Sequence, residues 1–143
     1  MYSSNSIFMR AAVERIFPLA AEVERWPERL PHYRWVTVLE RDPDGRRKLV
    51  EMAARRGWFP VSWRAVQEVD PETSAIRFHH VRGITIGMDV EWRFQPRLDG
   101  TLVSIHHALT PRWPFIAPVI QSFIHAIAGM TLARIKQLAE ESA

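Results

Sequence analysis

Trp113-Pro-Phe-Ile-Ala-Pro-Val-Ile-Gln-Ser-Phe-Ile-His-Ala-Ile-Ala-Gly-Met-Thr-Leu-Ala-Arg-Ile-Lys-Gln-Leu-Ala-Glu-Glu141 is the stretch on which the fold turns. From Phe115 to Ala133 it has no Asp, Glu, Lys or Arg, and apolar residues recur at Ile116, Ile120, Phe123, Ile124, Ile127, Met130, Ile135 and Leu138. That spacing is close to the α-helical period and predicts one long helix whose apolar face needs a partner. Pro114 and Pro118 fit only near a helix start, where a missing N–H breaks no helical hydrogen bond, so regular helix is expected from about Pro118. Lys136, Gln137, Glu140 and Glu141 mark its exposed end. A run of about twenty apolar residues could also span a bilayer. Gln121, Ser122, His125, Gly129 and Thr131 interrupt this one, and the expectation is a core helix half buried on a sheet, with no stable membrane insertion.

Working back toward the N-terminus, that sheet can be traced. Turn signals at Asp42-Pro-Asp-Gly45, Arg56-Gly57, Asp70-Pro-Glu-Thr73, Gly83 and Leu98-Asp-Gly100 separate candidate strands at Tyr33–Arg41, Arg47–Arg55, Trp58–Val69, Ala75–Val81, Gly87–Gln95 and Thr101–Leu109. Short turns imply antiparallel neighbours. A first strand is read over Ser4–Ala12, behind a frayed Ser-rich lead-in, and makes seven. Between it and Tyr33, Val13–Val23 has helical spacing and should bend or split at Pro18. Trp26-Pro-Glu-Arg-Leu-Pro31 reads as a second short helix or turn.

At 143 residues the chain fits one domain, 1–143, able to bury a core without disulfides or a structural metal. There is no Cys, which excludes thiol chemistry and Cys-based zinc sites and is compatible with a reducing cytoplasm. The polar Met1–Asn5 lacks an apolar signal core, so a cytoplasmic location is expected. A net charge of +3 does not call for nucleic acid. No Ser-His-Asp order, Gly-rich phosphate loop or paired-carboxylate pattern is present to suggest hydrolysis, phosphoryl transfer or nucleotide binding.

Strand alternation indicates which side chains share a face. Met88, Val90, Trp92 and Phe94 fall together, as do Val103, Ile105, His107 and Leu109; Ile76, Phe78 and His80; and Val61, Trp63, Ala65, Gln67 and Val69. A curved sheet gripping one helix with these faces leaves room for a cavity, and the polar residues on them are its candidate contacts. Tyr33, Trp35, Arg56, Trp58, Arg82 and Thr131 are further candidates. Neighbours in a strand point to opposite faces, so neither His79-His80 nor His106-His107 can hold a metal by itself, and no metal or other cofactor is expected. His125 could face cavity or solvent.

Arg10-Ala-Ala-Val-Glu-Arg-Ile-Phe17 followed by Ala21-Glu-Val-Glu-Arg-Trp-Pro-Glu-Arg-Leu-Pro31, then Ser62-Trp63 before Asp70-Pro71, Glu91-Trp92-Arg93-Phe94 before Asp99-Gly100, and Ile105-His106-His107 before the last helix, together resemble the START-like superfamily. More narrowly, they are similar to its polyketide cyclase/dehydrase family, with aromatase/cyclases and coenzyme Q-binding proteins as relatives. The resemblance implies an α+β helix-grip fold of the START/Bet v 1 type: seven antiparallel strands curved around a long C-terminal helix, enclosing an apolar cavity. Aromatase/cyclases resemble the chain at Trp26-Pro27 and Trp63, but place Arg residues a few positions later, where Val66 and Gln67 stand here.

The expected function is binding of a hydrophobic, cyclic or aromatic small molecule. Trp63, Phe78, Trp92, Phe123 and Ile127 would form the walls, with Tyr33, Gln67, His80 and His107 as polar contacts. The enzymatic alternative is an aromatase/cyclase or dehydratase using His107 as acid or base, since imidazole titrates near neutrality. A third is an interaction protein like the coenzyme Q-binding or ribosome-associated relatives. Open sheet edges leave room for a homodimer.

Overall fold

The alternating segments pair antiparallel throughout, in the order Tyr2–Met9, Gly100–Ala108, Asp89–Arg97, Ala75–Arg82, Phe59–Asp70, Arg47–Arg56 and Tyr33–Arg41. The computed structural model describes residues 1–141. Its strands are β1 (Tyr2–Met9), β2 (Tyr33–Arg41), β3 (Arg47–Arg56), β4 (Phe59–Asp70), β5 (Ala75–Arg82), β6 (Asp89–Arg97) and β7 (Gly100–Ala108). Helices α1 (Val13–Ala21) and α2 (Trp26–Arg29), joined by a 3-10 turn at Val23–Arg25, follow β1. After β7 a 3-10 turn at Pro114–Ile116 leads into α3 (Ala117–Glu141). This is the helix-grip architecture, and its chain order puts β1 beside β7.

The apolar stripe of α3 is buried through Ile120, Ile124, Ile127, Ala128, Leu132, Ile135 and Ala139. These residues pack with Val50, Met52, Ile76, Trp92, Val103 and Ile105 of the sheet in one core. Among the described residues, Pro114–Glu141 is the one helical stretch long and apolar enough to cross a membrane. Its buried stripe identifies it as the core helix of the grip. Met130, expected on the stripe, is instead exposed, and His125 faces outward.

Three local expectations change. The N-terminus is not frayed: β1 begins at Tyr2, paired with Ala108, and the Met1 amino group donates to the Leu109 carbonyl at 2.8 Å. Helix α1 runs through Pro18 and stops one turn later at Glu22, whose ψ of 66° leaves the helical region. Strand β6 starts at Asp89, because Gly83–Gly87 forms the turn after β5, with Gly83 and Gly87 both at positive φ. At Gly83 a Cβ would lie 3.0 Å from the Ser62 carbonyl oxygen and 3.1 Å from Trp63 Cβ, so this glycine lets the turn sit directly on β4.

Candidate functional site

Between the sheet and the first half of α3 lies a cavity of about 230 Å³. Its walls are apolar: Trp26, Met52, Trp63, Phe78, Trp92, Ile105, Phe123 and Ile127 are among them, and among the described residues no Asp, Glu, Lys or Arg lines it. The polar lining consists of Tyr33, His80, Thr85, His107 and Thr131. Alternation explains how most of these arrive there. Strand β7 pairs with β6 over its whole length without a bulge, so every second side chain from Val103 to His107 points inward. In β5 the same parity turns Phe78 and His80 inward and leaves His79 outside, where its Nδ1 is 2.7 Å from Asp89 Oδ1.

His80 is buried, stacked on Trp63 with ring centroids 5.7 Å apart and planes 12° from parallel. A hydrogen bond of 2.7 Å joins its Nδ1 to the Thr85 hydroxyl. Burial, with smaller contributions from His107 and His79, pushes its pKa down to about 3. His107 is likewise buried, and its Nδ1 has no hydrogen-bond partner among the described residues. Burial first, then His106 and His125, lowers its pKa to about 4. Both imidazoles are therefore neutral near pH 7, and each can offer one donor and one acceptor nitrogen.

Tyr33 lines the deeper wall, edge-on to Trp26 and Trp63. Burial raises its pKa well above the usual phenol range. Thr131 is a junction. Its hydroxyl donates to the Ile127 carbonyl at 2.8 Å, so His32 Nε2, also 2.8 Å away, must be the donor in their hydrogen bond. His32 is buried, and desolvation lowers its pKa to about 4, which keeps it neutral with the proton on Nε2. The sequence offered no signal for His32, because it lies between Pro31 and Tyr33 in a segment without alternation. Thr85 and Ile84 were missed because the turn after β5 folds over the cavity instead of standing clear of it.

Five candidates fall elsewhere. Gln67 is fully buried but does not line the cavity: its Nε2 donates to the Ala21 carbonyl at 3.0 Å, beneath the end of α1. It shares a face with Trp63, but β4 is long enough that α3 covers one end of that face and the α1 region the other. Trp35 is turned outward by a bulge between Tyr33 and Trp35 that reverses the parity of β2, and Arg34 lies over its ring at 5.5 Å. Trp58 is 95% exposed at the β3–β4 turn, and Arg82 is exposed at the end of β5. Arg56 reaches across to α3, donating to the Ser122 hydroxyl at 2.8 Å.

The sequence pattern of the family described as polyketide cyclase / dehydrase and lipid transport matches residues 9–136. The chain belongs to that family. A bifunctional cyclase/dehydratase of the actinorhodin polyketide synthase from Streptomyces coelicolor is 29% identical over 133 residues, which are 92% of this chain and 42% of that protein. The chain thus spans less than half the length of this curated relative. Among solved structures, the Zhui aromatase/cyclase from Streptomyces sp. R1128 superposes with a TM-score of 0.87 at 15% identity, over 98% of this chain and 93% of that one. A START superfamily protein from Mycobacterium smegmatis superposes with a TM-score of 0.84 at 15% identity, over 99% of both chains. These likenesses give this family member a START-like fold, and its cavity occupies the place where the fold separates sheet from helix.

Proposed function

We propose that this protein binds a hydrophobic, cyclic or aromatic small molecule of about two fused rings in the cavity between the sheet and α3. The supporting observation is an uncharged, aromatic-walled cavity of about 230 Å³ with two neutral imidazoles in its lining, one of them with an unpartnered nitrogen. A cavity of about 150 Å³ holds a single benzene ring, which sets the scale. Apolar burial, roughly 25 cal/mol per Å² before ordering costs, would dominate affinity. His107 would take a hydroxyl or carbonyl group of the ligand, which would relieve the unpaired Nδ1.

The unpartnered nitrogen also favours a second reading, in which His107 moves a proton on a bound ketone. A neutral imidazole with a lowered pKa is a better base than acid near pH 7. Among the described residues the lining holds no Arg or Lys to polarise the ketone, so any rate enhancement would rest on that base and on positioning.

Native mass spectrometry of the purified protein, followed by calorimetric titration of the stripped protein with 1-naphthol and 1-tetralone, tests the binding reading. A co-purifying apolar adduct or saturable one-to-one binding of either bicycle is expected. A clean native mass together with no saturable binding would sink it. Loss of turnover in a folded His107→Ala variant that still binds would favour conversion over carriage.

A further inference from the structure

Three loops meet where the cavity reaches the surface. The β3–β4 turn brings Phe59, the turn after β5 brings Ile84, and the start of α3 brings Val119, each lining the cavity while 59%, 41% and 65% exposed. The loops are tied together: Arg56 bonds Ser122, Phe59 meets Phe123 edge-on at 6.3 Å, and the Gly83 turn rests on β4. Beyond these lining residues, Trp58 and Phe115 stand 95% and 81% exposed, with no part in the cavity wall.

The charge of the same loops is one-sided. Segments 55–60, 81–87 and 110–119 hold Arg55, Arg56, Arg82 and Arg112 and no Asp or Glu. The ion pairs of the described residues all lie elsewhere. The chain has 19 Lys and Arg against 16 Asp and Glu, so without these four arginines 15 bases face 16 acids. The net positive charge of the chain is therefore carried by these three segments.

We propose that the cavity mouth is a docking surface for an anionic lipid bilayer, with Trp58 and Phe115 entering the interface and the four arginines meeting lipid phosphates. Aromatic side chains at the headgroup level combined with basic residues are what a peripheral interfacial contact requires. A second copy is disfavoured by charge, because rim against rim would bring eight unpaired arginines together. An acidic protein surface would satisfy the arginines but would give two protruding aromatic tips no common groove. Docking also rests on the apolar-ligand reading, since it would let such a ligand pass between bilayer and cavity without crossing water.

Cosedimentation with phosphatidylcholine vesicles, with and without phosphatidylglycerol, tests it. Binding to the anionic vesicles is expected at about 25 mM salt and should weaken at about 0.5 M. Trp58→Ser with Phe115→Ser should weaken it at least tenfold, and Arg55→Gln with Arg112→Gln roughly 30-fold. All four side chains are exposed, and unchanged thermal melting will show that the fold is intact. No binding to anionic vesicles at low salt overturns the proposal, as does binding that both double variants retain. A wild-type dimer that Trp58→Ser with Phe115→Ser converts to monomer, by sedimentation equilibrium, would assign the rim to a second copy instead. Naphthol binding without vesicle binding defeats docking alone, and vesicle binding without any bicyclic ligand defeats the ligand reading alone.

Discussion

Leaving one nitrogen of a buried imidazole unpartnered costs roughly 1–3 kcal/mol, and His107 bears that cost at Nδ1. A residue kept only for packing would be replaced without loss by an apolar side chain of similar volume. His107→Leu is therefore expected to leave stability at pH 7.5 unchanged or raise it by about 1 kcal/mol, read by urea denaturation. The same substitution should weaken 1-naphthol binding roughly tenfold, the worth of one hydrogen bond in a dry site. A loss of stability beyond about 2 kcal/mol would make His107 a structural residue. Its position was legible because β7 alternates without interruption. Trp35 was misplaced because one bulge reverses parity and leaves no mark in the pattern of apolar residues. For Gln67 the face was legible, but which helix covers that end of β4 was not, since it depends on contacts far apart in sequence.

At the level of elements, the start of β2 is fastened to the middle of α3 by one hydroxyl. Thr131 accepts from His32 Nε2 and donates within its own helix. Thr131→Val keeps the shape and removes the junction, leaving a buried N–H unpaired. The expected cost is about 1–3 kcal/mol in guanidinium denaturation, while Thr131→Ser should stay within about 1 kcal/mol of wild type. Equal stability of the two variants would mean that apolar packing alone holds β2 to α3. The long helix and the seven strands could be read from period and turn chemistry, because those signals are local. This junction could not, since it joins residues 99 apart in sequence.

For the whole molecule, the consequence of building a dry cavity from imidazoles is a dependence on pH. His32, His80 and His107 have folded pKa values lowered to about 4, 3 and 4, against an unfolded value near 6.5. Each is neutral when folded and takes up a proton on unfolding once the pH falls below about 6.5. The stability they permit is thus fully present above that pH and is lost as the pH falls toward about 4 and then 3. Over that window each contributes a slope of up to about 1.4 kcal/mol per pH unit. The carboxylates held below their usual range lose their contribution only at lower pH, below about 4.5; Glu24 is one, where against the opposing effect of burial a hydrogen bond from its own backbone N–H and then the contacts with Lys48 lower its pKa. Urea denaturation at pH 7.5, 6.5, 5.5 and 5.0 separates the two groups. A near-flat upper limb should give way to a steep fall between pH 6.5 and 5.0, and His107→Leu should make that fall shallower by about one proton's worth. A wild-type profile that stays flat to pH 5.0 would mean the three imidazoles reach water or an anion in the folded protein, and the cavity would then not be the dry, uncharged site that an apolar ligand needs.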